Sequence, residues 1–332
     1  MNCATETVPA KNKSLFSKET LYNLGALLGL VLLCIVLSIL SPKFLTLDNL
    51  MNIAGQASIN AIIAVGMFLA ILTAGIDLSV GSILALSTMV MGVLNVNLGL
   101  NPILSILACL ILGALLGLTN GILLTRLNLP HPFISTLGTM NMARGLALVI
   151  TGAAPVSGFP DSIQFLGAAF AGPIPVSFIL VAVLYTGMYF FLNRTTIGRY
   201  IYAVGGNPEA SRLSGIDVKK ILNLVYTISG FTAALAGLVL VGRVNSAYPL
   251  AGLGYELDAI AAVIIGGASF FGGIGTIGGT LIGAILIAVL RNGLNLLNVS
   301  ADWQTFVIGA VIIAAVYVDI LRQRAAKKKA LS

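Results

Sequence analysis

The chain has 332 residues, 58% of them hydrophobic and only 9% charged, against about 25% charged in soluble domains. With a mean hydropathy of +1.03, this excludes a disordered tail protein and points away from a soluble enzyme to an integral membrane protein. The net charge of +7 raises nucleic acid as a partner only until the placement of the basic residues is read.

A transmembrane helix needs about 20 apolar residues. Such windows fall at 21–41, 53–73, 80–98, 103–125, 133–151, 174–193, 221–241, 257–272, 279–298 and 303–321. They predict an all-α polytopic membrane protein of about ten transmembrane helices. A cytoplasmic tail occupies 1–20, the membrane domain 21–321 and a basic tail 322–332. Window 21–41 is too long for a signal-peptide core and has no small-x-small cleavage site, so it reads as a retained anchor. Between the second and third windows, and between the eighth and ninth, the apolar run barely breaks and glycines carry the turn.

Orientation follows the lysines and arginines. With both termini cytoplasmic, the inside segments hold Lys11, Lys13, Lys18, Arg126, Arg194, Arg199, Arg212, Lys219, Lys220, Arg322, Arg324, Lys327, Lys328 and Lys329, 14 of the 18 basic residues. Lys43 and Arg243 stay outside, and Arg144 and Arg291 fall within windows. The basic excess is a topology signal, and no nucleic-acid partner is expected.

Two stretches match at an offset of 198 residues. Asn60-Ala61-Ile62 matches Asp258-Ala259-Ile260, Ala64-Val65 matches Ala262-Val263, Gly75-Ile76 matches Gly273-Ile274, and Gly81 matches Gly279. An offset that survives a turn predicts two similarly oriented halves, as in transporters built from parallel repeats.

The most distinctive polar segment is the loop 194–220. In it Pro208 suits the first turn of a short helix, Asn207 its cap, Glu209 its positive end, and Gly215 a left-handed close. A short surface helix bracketed by breaks suits docking to a partner, although an ordinary amphipathic connector fits the same residues.

Inside the membrane, a charged side chain costs about 2.5–3.5 kcal/mol and should face protein or a cavity. Asp77, beside Ser79 and Gly81, either caps the third helix or gates. Arg144 either pairs with a helix carbonyl or an acid, or lines a path. Asn292 and Asn295, at i and i+3, share a helix face and suit interhelical hydrogen bonds; Asn120, Thr136 and Asn141 allow either reading. His131, between two prolines, reads as a structural loop residue. Cys3, Cys34 and Cys109 show no metal or disulfide spacing, and no metal site is expected. GxxxxGK[ST] occurs nowhere in the chain, so no phosphate loop is present. The glycines from Gly266 to Gly279 suggest close helix approach and a hinge.

Four motifs, in order, resemble permease subunits of ribose-type bacterial sugar ABC importers. They are Ala74-Gly75-Ile76-Asp77-Leu78-Ser79-Val80-Gly81-Ser82, the run from Gly205-Gly206-Asn207 to Gly215-Ile216, Gly252-x-Gly254-Tyr255-Glu256-Leu257-Asp258-Ala259-Ile260-Ala261, and Asn292-Gly293-Leu294-Asn295-Leu296-Leu297. The likeness runs from about 21 to 321. It implies a non-enzymatic inner-membrane subunit that pairs with a second permease copy in a homodimer, a cytoplasmic ATP-binding subunit and a periplasmic sugar-binding protein. ATP and Mg would sit on the partner ATPase, with no cofactor on this chain. The resemblance places ATPase coupling on Arg199, Gly205, Gly206, Asn207, Glu209, Ala210 and Gly215. Asn60, Glu256 and Asp258 would offer acceptors to sugar hydroxyls, or anchor the docked binding protein, or, for Asp258, cap a helix. With Asp77, Ser79, Asn141, Arg144, Asn292 and Asn295 they make up the expected pathway or gating set. A proton-coupled secondary transporter, with Asp77 titrating, is the alternative; a passive channel fits less well.

Overall fold

A computed structural model describes residues 18–127, 129 and 131–331. Lys11 and Lys13 of the expected tail, together with Cys3 and Pro130, lie outside the described residues. Among the described residues the regular structure is helical apart from four two-residue strands.

Helix α1 (Lys18–Leu40) leads into α2 (Leu47–Leu72), capped by the Thr46 hydroxyl and buried almost throughout from Ile53 onward. Helix α3 (Val80–Gly92) runs into a π-helical turn at Val93–Asn97. Helices α4 (Pro102–Arg126) and α5 (Pro132–Thr151) follow, each opened by a proline. Beyond them lie β1 (Val156–Ser157), α6 (Asp161–Ala168), β2 (Phe170–Ala171), β3 (Ile174–Pro175) and α7 (Val176–Arg194). The remainder is α8 (Thr196–Gly206), α9 (Pro208–Leu213), α10 (Val218–Val244), β4 (Ser246–Ala247), α11 (Tyr255–Ile265), α12 (Ile277–Leu296) and α13 (Ala301–Leu331).

Among the described residues eight helices are long and apolar enough to cross a membrane, and Gly25–Leu40 of α1 is a shorter apolar helix. The expected eighth crossing at 257–272 is instead α11, only 11 residues long, or about 16 Å at 1.5 Å per residue. Hydropathy sees one apolar run there. The backbone cannot continue it, because Gly267, Gly272 and Gly273 take φ of +93°, +85° and +72°, outside any right-handed helix.

Helices α2 and α10 are antiparallel at the centre: Gly55 lies beside Arg243, and Gly66 beside Ser229 and Thr232. Helix α4 closes on α10 through Gly113, Gly117 and Gly230, where added methyl groups would collide with backbone. This is small-residue packing of the kind that brings membrane helices together. Tyr185 of α7 donates to the Ala61 carbonyl at 2.9 Å, which fastens α7 parallel to α2.

Arg126, Arg194, Arg199, Arg212, Lys219 and Lys220 gather at one end of the bundle. The described start of α1 and the later part of α13 lie at this same basic end: Ala26, Gly29, Ala315 and Val318 line one cleft, and Asp319 accepts from the Phe270 N–H at 3.3 Å. The opposite end is covered by α6 and two small antiparallel ladders, β1 with β4 and β2 with β3.

The repeat has a structural counterpart. In both halves a helix runs toward the basic end (α2, α11), breaks, and returns (α3, α12). At the 198-residue offset Ala74 pairs with Gly272, and both backbones are left-handed, at φ +59° and +85°. Such a conformation costs a non-glycine residue about 1–2 kcal/mol, so its recurrence at equivalent positions is a geometric requirement of the turn.

Candidate functional site

In the break between α2 and α3, residues 73–79, Thr73, Gly75, Asp77 and Ser79 are buried while Ala74 is exposed. Ser229, which donates to Asp77 Oδ2 at 2.7 Å, is the twelfth of 27 residues in α10, so Asp77 lies well inside a helix about 40 Å long. Asp77 Oδ1 accepts from the Ser79 N–H at 3.0 Å and from the Ser79 hydroxyl at 2.5 Å. Ser79 Oγ accepts in turn from Asn120 Nδ2 at 2.8 Å. One carboxylate therefore ties the break to α4 and α10. Ser79 occupies the N-cap position of α3 without a side-chain cap bond; the expected cap by Asp77 is replaced by a bond to the capping residue itself.

The segment 245–254 descends from the opposite end toward this break without forming a helix. Non-helical backbone at membrane depth needs protein partners for its carbonyls, and Arg144 supplies them. Its Nη1 donates to the Pro249 and Ala251 carbonyls at 2.7 and 2.8 Å. Arg144 thus pairs with carbonyls, but with those of a non-helical segment and not the helix carbonyl expected. The descent ends against Gly81, where a β-carbon would lie 2.2 Å from the Gly252 carbonyl oxygen and 2.8 Å from Glu256 Oε2. Only glycine fits there.

Glu256 and Asp258 diverge. Asp258 is buried and bonded to Arg291 of α12 through Nε at 2.7 Å and Nη2 at 2.8 Å. The expected helix cap by Asp258 is thus replaced by a bidentate ion pair. Asn60 lines a cavity beside that pair, together with Gln56 and Tyr255. Asn292 exchanges two hydrogen bonds with Asn49 of α2, at 2.9 and 3.1 Å, and Asn295 accepts from Gln304 at 2.7 Å. Asn141 stands apart, exposed on α5 and bonded only to its own Leu137 carbonyl at 2.9 Å. The structure therefore gathers Asp77 with Ser79, and Asn60 with Asp258, but not the set as a whole.

At the basic end, Asn207 caps α9 by accepting the Ala210 N–H at 2.9 Å, Pro208 opens it, and Gly215 closes the turn at φ +85°. Arg199, Gly206, Asn207, Glu209, Ala210 and Gly215 are exposed. Glu209 bonds Arg212 at 2.6 Å; that guanidinium, by hydrogen bond and charge, holds the Glu209 carboxyl below its usual range. Asp217 is likewise lowered, first by the Lys220 backbone N–H and then by its ammonium. Gly205 differs from its neighbours because it is buried. A β-carbon there would lie 1.8 Å from the Leu72 carbonyl oxygen and 2.8 Å from the Gly273 nitrogen. Tyr202 donates to the Gly275 carbonyl at 3.0 Å. Helix α8, which leads into the exposed α9, is thus seated directly on both helix breaks.

Sequence reasoning overlooked Gln56, Tyr255, Ser229 and the exposed Leu213, and left Arg291 without a role. Arg291 carried the clearest signal, since a charge within a span needs a buried partner. His131 caps α5, its Nδ1 accepting the Phe133 N–H at 3.1 Å.

Residues 49–316 match the family described as the permease component of the branched-chain amino acid transport system. The ribose import permease protein RbsC of Escherichia coli strain K12 is 45% identical over 96% of this chain and 99% of its own length. That of Bacillus subtilis strain 168 is 44% identical over 95% and 98%. The D-allose transport system permease protein AlsC of Escherichia coli strain K12 is 46% identical over 90% and 91%. No solved structure gives a significant match. The chain belongs to this family of transport-system permeases.

Proposed function

We propose that this permease is the membrane-spanning subunit of a binding-protein-dependent ABC importer for a monosaccharide, a pentose or hexose, in the inner membrane. ATP is hydrolysed with Mg on a separate subunit, and this chain does no chemistry of its own. Relatives named for ribose and allose import support the sugar class.

The observation that carries the mechanism is the seating of Gly205 on Leu72 and Gly273. Helix α9 is exposed at the basic end, which the positive-inside rule places in the cytoplasm, together with both ends of the described chain. An ATPase that grips α9 differently in its two nucleotide states shifts this chain only by that difference in affinity. The displacement then reaches both breaks through α8, and the segment 194–220 acts as the coupling loop.

A second copy of the chain, in a homodimer, is supported by α5. Asn141 sits exposed midway along this span, and the neighbouring Gly138 and Gly145 have open space above them. A polar amide facing hydrocarbon is costly; against a second copy or a watery path it is not. The covered opposite end, with 151–175 and β4, is the docking face for the sugar-binding protein. Asp77, held by three donors, anchors the gate.

The test is to purify the complex through a tag on this chain and identify what accompanies it. An ATP-binding subunit and, with sugar, a receptor are expected. A chain purified intact from membranes without any ATPase would overturn the assignment.

A further inference from the structure

Arg243, one residue from the end of α10, is half-buried, and its guanidinium meets no carboxylate among the described residues. Its Nη2 donates to Asn52 Oδ1, while Nη1 lies against Gly55 without an acceptor, a costly state for a charge withdrawn from water. The side chain lines a cavity of about 570 Å³ between the start of α2 and the segment 167–175, large enough for a small ligand. Asp48 lines the same cavity, exposed and likewise outside every ion pair among the described residues.

The depth of this cavity follows from the bond between α7 and α2. Tyr185 is the tenth residue of α7, and the Ala61 carbonyl that it reaches belongs to the fifteenth residue of α2. Helix α2 therefore projects about five residues, or roughly 7 Å, outward beyond the start of α7, which is level with Asn52. Only 22% of the α7 span is buried, so α7 faces lipid, and its 19 residues cover about 28 Å, close to the roughly 30 Å of the hydrocarbon core. Arg243 and Asn52 thus stand where the outer leaflet passes from acyl chain to headgroup. Asp48, four residues before Asn52 on the same helix face, stands one turn nearer the water, about 5.4 Å out.

We propose that the cavity binds the headgroup of a phospholipid carrying both a phosphate and a primary ammonium, as phosphatidylethanolamine does. The phosphate gives the guanidinium the acceptors that Asn52 alone does not supply, a pairing whose geometry suits arginine. The ammonium lies farther out, toward the Asp48 carboxylate. Reading outward, a cation and then an anion match the order of phosphate and amine in an outer-leaflet lipid, and the two side-chain charges cancel, as they do in that headgroup. The rim favours lipid over a soluble partner: Leu47 and Phe170 are 61% and 60% exposed, and with Met51 and Pro173 they give the cavity apolar walls. The rest of 151–175 is left to the binding protein.

The purified full chain, delipidated in detergent and titrated with phosphatidylethanolamine or phosphatidylglycerol of the same acyl composition, tests this by native mass spectrometry. Phosphatidylethanolamine should be held about tenfold more tightly, although an isolated arginine would favour the anionic lipid. Asp48→Asn should erase that preference while phosphate binding persists. Arg243→Gln should weaken retention of both lipids; if it does not fold, Arg243→Lys, which keeps the charge and loses the planar fork, should weaken both to a smaller degree. Equal retention of the two lipids by the unaltered chain, or a preference unchanged in folded Asp48→Asn, would overturn the site. So would variants that hold both lipids as the unaltered chain does but no longer capture the sugar-binding protein, a result that would give the cavity to that partner.

Discussion

The carbonyl of Leu72, the last residue of α2, accepts a hydrogen bond from the N–H of Gly273 at 2.9 Å, which joins the two helix breaks into one unit. Gly205 of α8 sits against both partners. A movement of α8 therefore has no slack to cross before it reaches them.

Gly205→Ala should damage folding as well as transport. Its methyl group would be driven into the Leu72 carbonyl, and overpacking of this kind costs about 1–3 kcal/mol. Thermal unfolding of the purified chain should show a lower midpoint, and uptake should fall with it.

Gly206→Val and Glu209→Lys should separate these effects. Space is open above Gly206, and Glu209 is exposed; its solvent-screened surface pair with Arg212 contributes little to stability. Both variants should insert and melt normally while losing sugar uptake and retention of the ATPase subunit. Normal transport by both would discard the docking role of α9.

The Asp258–Arg291 pair predicts strong coupling. Arg291→Met alone leaves a buried carboxylate and should cost about 3–5 kcal/mol. Adding Asp258→Leu should recover much of that stability. Unfolding midpoints of the single and double variants measure the coupling, and additive losses would count against a closed pair.

Two carboxyls set a pH expectation. Glu209 and Asp217 are held below their usual range by Arg212 and by Lys220. A depressed group contributes above its unfolded pKa, about 4 for these residues, and the contribution disappears only as pH falls through the still lower folded value. Binding of the ATPase subunit should show no inflection from these groups between about pH 6 and 8. Titration of that binding checks it.

Much of this was legible in the sequence because it rests on local chemistry. Asn207, Pro208 and Gly215 announce a short capped helix by residue type, and the structure has it. Apolar runs locate the long helices for the same reason. The half-length α11 was hidden because hydropathy measures apolar content, whereas the chain there is stopped by left-handed glycines such as Gly267. The partners of Asp258 and Asp77 were hidden for a different reason. Arg291 lies 33 residues away and Ser229 lies 152 away, and nothing in residue type states which long-range neighbours meet. Gly205 read as part of an exposed motif, although its lack of a side chain serves a buried contact.

Accumulation of labelled D-ribose, D-allose and D-fructose in sealed proteoliposomes tests the central claim most directly, comparing this chain alone with the complex of chain, ATP-binding subunit and binding protein. The account predicts uphill accumulation of at least one sugar by the complex, dependent on ATP and insensitive to a proton uncoupler. It predicts none by the chain alone under an imposed pH gradient. Uphill accumulation by the isolated chain, abolished by the uncoupler, would contradict it.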